Sequence, residues 1–278
     1  MMKKILFPTD FSEAATNAFV HALEFAKVVN AELILLHTFE IPVYDSQFFP
    51  ENYAAIYSSI ELAKFEMFKD EIPKLKTIAI ERNLEEIVIK HRLMDGDLIY
   101  NLKNAIKEDD IDFVIMGTNG ISDWTTFFLG SNTNSVISGV DVPVLCVPID
   151  AKFKKIKVIG FTTRYREKDK KELKKVLKIA KKMNAKVRSL YVKTTTSDVS
   201  PETVKEWEIE FADENVEFLV LPSDDVKETI LDFILYKDVD ILTTITHKRS
   251  FFESLFTSGF TKKITKEVSI PVLVMHDN

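Results

Sequence analysis

Glycine is scarce in this chain, and three of its seven glycines fall within one short stretch. The stretch reads Gly117-Thr118-Asn119-Gly120, nine residues without glycine, then Gly130-Ser131-Asn132. The apolar run Ile111-Asp112-Phe113-Val114-Ile115-Met116 precedes it and has the composition of a buried parallel strand. Residues 131–138 read as a helix opening, whose first N–H groups have no acceptor within the helix. Amides presented at a helix start, reached through residues without a Cβ, make a cradle for phosphate. Ser131 adds a hydroxyl donor. Taken singly, Gly117 and Gly120 only tighten a turn and Gly130 only caps a helix; taken as an ordered set, they favour an anion site.

Other chemistries are poorly supplied. His21, His37, His91, His247 and His276 are scattered without metal-ligand spacing. The single cysteine, Cys146, sits inside an apolar run and reads as core. A net charge of −6 argues against non-specific nucleic-acid binding. No apolar run is long enough to span a bilayer, and the two N-terminal lysines are followed too soon by Pro8 and Asp10 for a signal peptide, so a cytoplasmic location is expected.

The elements that must carry the glycine stretch alternate regularly. Residues 3–8 read as a strand, Ser12 as the N-cap of a helix with Ala18, Ala22, Phe25, Ala26 and Val29 on one face, and residues 31–38 as a second strand. The helix over 58–82 is expected to break or kink at Pro73. A strand over 86–94, a helix over 98–107 and the strand at 111–116 follow, and Val142-Pro143-Val144-Leu145-Cys146-Val147 is the last strand. Such alternation calls for an α/β fold with an open doubly wound parallel sheet, binding ligands beyond the carboxyl ends of its strands. The first strand-to-helix turn, Pro8-Thr9-Asp10, lacks glycine, which excludes the dinucleotide fingerprint and the P-loop.

The glycine spacing, together with Lys3-Lys4-Ile5-Leu6-Phe7-Pro8-Thr9-Asp10 and Ala31-Glu32-Leu33-Ile34-Leu35-Leu36-His37-Thr38, resembles the universal stress protein family over residues 1–150. The resemblance implies a Rossmann-like fold of the adenine nucleotide alpha hydrolase type, with the first and fourth strands adjacent. It also implies that Pro8, Thr9, Asp10, Thr38 and Met116 surround adenine and ribose, while Gly117, Gly120, Gly130, Ser131 and Asn132 hold ribose and phosphates. Asp10 would accept hydrogen bonds from an adenine amino group or ribose hydroxyls. Residues 121–129 contain no Lys or Arg, unlike many relatives, so ATP or another adenine nucleotide would bring Mg²⁺ to offset its charge. Trp124, Phe127 and Phe128 read as a flap over the site or an interface patch.

From residue 151 the pattern restarts: a strand over 156–161, a basic amphipathic helix over 168–183, the join Asn184-Ala185 like Asn30-Ala31, a strand over 239–244, and Ile270-Pro271-Val272-Leu273-Val274-Met275 like the strand at 142–147. Two tandem five-stranded sheets are expected, with domains over 1–150 and 151–278. The second is degenerate: Ile245 stands at the place of Gly117 and Lys248 at that of Gly120, and the turn after its first strand reads as longer than Pro8-Thr9-Asp10. It is not expected to bind ATP. In the family, terminal edge strands pair across a two-fold axis; here the two halves would pair with each other, or the chain would form a homodimer. The expected role is nucleotide-dependent regulation rather than catalysis, the alternatives being a slow ATPase or phosphotransfer enzyme and a nucleotide-free interaction module.

Overall fold

The computed structural model describes residues 2–40, 50–118, 131–246 and 269–276. Its contacts divide the chain into two compact units, Met1–Gly117 and Thr118–Asn278.

The first unit alternates as expected: β1 (Lys3–Pro8), α1 (Glu13–Val29), β2 (Ala31–Phe39), α2 (Pro50–Glu81), β3 (Ile89–Asp95), α3 (Leu98–Asp109) and β4 (Phe113–Thr118), which reaches the boundary. The strands run parallel in the order β3-β2-β1-β4. The Ser12 hydroxyl accepts from the Ala15 N–H to start α1, and Asn30 ends it in the left-handed conformation. The apolar face of α1 buries Phe19, Ala22 and Leu23, and Phe19 meets Phe7 of β1 edge-on at 5.5 Å. Each such phenylalanine withdrawn from water contributes about 1.5–3 kcal/mol. The expected break in α2 is absent: the helix runs through Pro73, whose carbonyl accepts from the Thr77 hydroxyl. Tertiary packing of Phe68, Ile72 and Leu75, all buried around that proline, outweighs its lost N–H.

The second unit contains α4 (Ser131–Gly139), β5 (Val144–Pro148), β6 (Val158–Thr162), α5 (Glu167–Met183), β7 (Lys186–Lys193), α6 (Pro201–Glu210), β8 (Val216–Pro222), α7 (Val226–Tyr236), β9 (Ile241–Thr246) and β10 (Val272–His276). Its strand order is β5-β10-β9-β6-β7-β8, parallel except where β10 lies antiparallel to β5 with Leu273 opposite Leu145. Cys146, in β5, is fully buried, and burial pushes its thiol up to about 12.

The two strand-turn-helix openings correspond residue for residue. β1 ends at Pro8 and α1 starts at Glu13; β6 ends at Thr162 and α5 starts at Glu167. The turns 9–12 and 163–166 therefore have equal length, contrary to the longer turn read from the sequence. The difference lies in where the strand ends: Thr162 is still a ladder residue, opposite Leu190. A second shared device ties the start of the strand. Asp112 accepts from the Lys4 N–H and Lys3 Nζ, and Asp240 accepts from the Lys157 and Val158 N–H groups and pairs with Lys154 at 2.8 Å.

Candidate functional site

Strand register assembles part of the site. Pro8 lies opposite Leu36 across β1 and β2, and Leu6 lies opposite Val114 across β1 and β4. Pro8 ends β1 with Thr9 and Asp10 following it, Thr38 lies near the end of β2, and Met116 and Gly117 lie near the end of β4. Those six residues thus collect at the carboxyl end of one parallel sheet, where β1 lies between β2 and β4. This is the place such folds reserve for ligands. Ser131 and Asn132 are the first two residues of α4, in the second unit; their side chains lie outside the described residues. Gly120, Gly130, Trp124, Phe127, Phe128 and Lys248 also lie outside them.

The turn after β1 is fixed by short-range bonds. The Thr9 N–H donates to the Leu36 carbonyl at 2.9 Å, and the Thr9 hydroxyl accepts from the Phe11 N–H at 3.0 Å. Phe11 takes a left-handed φ of 61°, a strained choice for a residue with a large Cβ substituent. Its ring lies 5.1 Å from His37 and 5.9 Å from Phe68, and that packing holds it there. The His37 Nδ1 stands 2.8 Å from the Thr9 carbonyl, which can only accept, so Nδ1 carries the proton. Asp10 is exposed at the tip, its Oδ1 accepting from the Ser12 N–H at 3.0 Å. The turn thereby presents a carboxylate beyond the end of β1, with Thr9, Phe11 and Ser12 held by these contacts.

Sequence reasoning passed over Phe11 and His37. The available signal was adjacency: each is the immediate chain neighbour of a residue already singled out, Asp10 or Thr38.

Gly117 also meets a packing requirement that its spacing did not display. A Cβ there would lie 2.4 Å from the Ala14 carbonyl oxygen and 2.8 Å from the Ala15 nitrogen. Its φ is not left-handed. Glycine is needed because the end of β4 touches the backbone of the first turn of α1, a contact no side chain allows. In the second unit Ile245 occupies the corresponding point of β9 and is buried.

The remaining sequence-level candidates also have definite settings. Among the described residues no group of three His, Cys, Asp or Glu side chains could hold a metal ion, and no helix is long and apolar enough to cross a membrane. On α5, Lys170 and Lys174 pair with Glu210 and Lys175 with Glu172, so part of its basic face is spent within the unit.

An open, parallel, doubly wound sheet with its acidic turn beyond β1 defines a Rossmann-like α/β protein, a class that binds ligands beyond the carboxyl ends of its strands. Residues 1–148 match the model of the universal stress protein family, and the chain belongs to that family. Universal stress protein MJ0577 of Methanocaldococcus jannaschii is 32% identical over 154 residues, 53% of this chain and 95% of the relative. A universal stress protein of Archaeoglobus fulgidus superposes with a TM-score of 0.73 at 15% identity, covering 99% of this chain and 98% of its own. A further structure from Pseudomonas aeruginosa, described as a putative universal stress protein, covers 99% of this chain and 93% of its own with a TM-score of 0.63 at 12% identity. At those identities the two structures bear on fold alone, and they carry the fold across both halves.

Proposed function

We propose that the first half, residues 1–150, binds an adenine nucleotide and that the chain acts as a nucleotide-dependent regulatory protein rather than an efficient enzyme. The observation that carries this reading is the exposed Asp10 carboxylate in the turn that follows β1, beyond the carboxyl end of a strand that lies between β2 and β4. A carboxylate is an acceptor-only group, suited to the amino group of adenine or the hydroxyls of ribose, and Met116 supplies a polarizable apolar wall beside the base. The family match over the same residues supports it. In this reading the phosphates, with Mg²⁺, rest against Gly120, Gly130, Ser131 and Asn132. The degenerate half, 151–278, supplies the pairing surface, a role supported by the antiparallel ladder of β10 on β5.

The test is mass spectrometry of small molecules released on denaturing freshly purified protein, followed by calorimetric titration with ATP, AMP and cyclic AMP. Asp10→Ala is expected to weaken the preferred nucleotide at least about tenfold, the loss of one charged hydrogen-bond acceptor. Equal affinity in the variant would remove Asp10 from the site. Phosphate release indistinguishable from a protein-free control is expected over hours; steady turnover abolished by Asp10→Ala would make the protein an enzyme instead.

A further inference from the structure

The second unit has kept the frame of the first crevice and reversed its polarity. The Thr163 N–H donates to the Leu190 carbonyl at 3.0 Å, as Thr9 does to Leu36. The Thr163 hydroxyl accepts from the Tyr165 N–H at 2.8 Å, and Tyr165 takes a φ of 57°, as Phe11 takes 61°. Tyr191 stands where His37 does, its ring 5.4 Å from that of Tyr165. Within this shared frame Arg164 occupies the position of Asp10. An acceptor-only group has been replaced by a donor-only one.

Arg164 lines a cavity of about 600 Å³ beyond the carboxyl ends of β6 and β7. That volume falls in the range of small-molecule sites, roughly 300–1,000 Å³. Thr194, Ser197 and Ser200 line it too and carry its hydroxyls, with Leu190, Val192 and Ile230 among the apolar groups. The charged lining is Arg164 and Arg166 against Asp198. Asp169, fully buried behind the turn, is committed to it: one carboxylate oxygen accepts from the Thr163 hydroxyl and the Arg164 and Arg166 N–H groups. Partial burial draws the Arg164 guanidinium below its ordinary value, Arg166 adds to the fall, and Asp169 and Tyr191 oppose it. A guanidinium that starts so high stays charged throughout, and taking it partly out of water strengthens its hold on an anion.

We propose that this cavity is a second ligand site, selective for a compact phosphomonoester about the size of a sugar phosphate, with the Arg164 guanidinium holding the phosphate and the cavity hydroxyls completing its shell. A planar guanidinium offers two parallel donors to a phosphate, and several hydroxyls suit an anion with three free oxygens better than a carboxylate with two. The same donor-only group at the turn disfavours the adenine amino edge, because donor would face donor.

The test is titration of the intact chain with glucose 6-phosphate, inorganic phosphate and ATP, followed by amide chemical shifts and calorimetry. Wild type is expected to bind glucose 6-phosphate with shifts centred on Thr163, Tyr191 and Ser197. Arg164→Met should weaken binding at least about tenfold, and Arg164→Lys, which keeps the charge without the fork, by less. Lys171→Met removes the same charge from an exposed position of α5 and should leave binding unchanged. If Arg164→Met fails to fold by circular dichroism, the Lys variant against wild type carries the comparison. No binding of either phosphate at about 10 mM, equal affinity in the Arg164 variants, or shifts confined to the first half would overturn the site. Displacement of glucose 6-phosphate by ATP from the same residues would overturn its selectivity.

Discussion

Gly117 and Tyr165 illustrate how far a single residue's role depends on what stands beside it. With the Ala14 carbonyl oxygen 2.4 Å from where a Cβ would lie, Gly117→Ala must push α1 away from β4. A loss of about 1–3 kcal/mol in urea unfolding is expected, whether or not nucleotide is present. Tyr165 is the opposite case. Its ring is packed 4.8 Å from Trp207, but its hydroxyl is buried with no hydrogen-bond partner among the described residues, and burial drives its pKa well above the ordinary phenol value. Tyr165→Phe keeps the packing and removes the unsatisfied group, so a gain of up to about 1–2 kcal/mol in thermal or urea unfolding is expected. The glycine was visible in the sequence as part of a motif, but the reason for it was not. Ala14 and Gly117 are far apart along the chain, and only the fold brings them together.

At the scale of elements, both halves begin their first strand with the same fastening, a carboxylate at the head of a neighbouring strand that accepts from the strand's opening N–H groups. In the second half this is Asp240. Burial by itself would raise its pKa, but Lys154 and the Lys157 and Val158 N–H groups together outweigh burial and hold it below the ordinary value. A depressed folded pKa means that stability is contributed above the unfolded value, near about 4, and is lost as pH falls through the folded value. Asp240→Asn should therefore cost about 1–2 kcal/mol at neutral pH, the difference from wild type shrinking below about pH 4 when urea midpoints are compared across pH. Helices and strands of the first half were readable because period and caps are local: Ser12, Asn30 and the apolar face of α1 announce themselves. Pro73 does not interrupt α2 because its local penalty is offset by the burial of Phe68, Ile72 and Leu75, which the sequence around it does not display.

At the scale of the whole chain, the duplication was legible in the matching joins and last strands, and the structures from Archaeoglobus fulgidus and Pseudomonas aeruginosa carry the same fold over nearly its full length. Cys146 gives a report on the second unit as a body. It lies in β5 opposite Val272 of β10, fully buried, with its thiol pushed up to about 12. Thiolate is the reactive form, so native protein at pH 8 should resist a thiol reagent such as Ellman's, and the labelling rate should follow unfolding of the unit across a urea series. Rapid labelling in native buffer would mean that the β5–β10 ladder opens on its own.

The sequence alone determined the alternation of strand and helix, the family and the residues of the first turn, because these rest on periodicity, caps and motif spacing within a few residues of one another. Only the tertiary structure decided why Gly117 must lack a side chain, that the two turns are equal in length, and that Arg164 holds the place of Asp10. Each of these depends on which strand lies beside which, and strand register is set by burial and hydrogen bonding between segments remote in sequence.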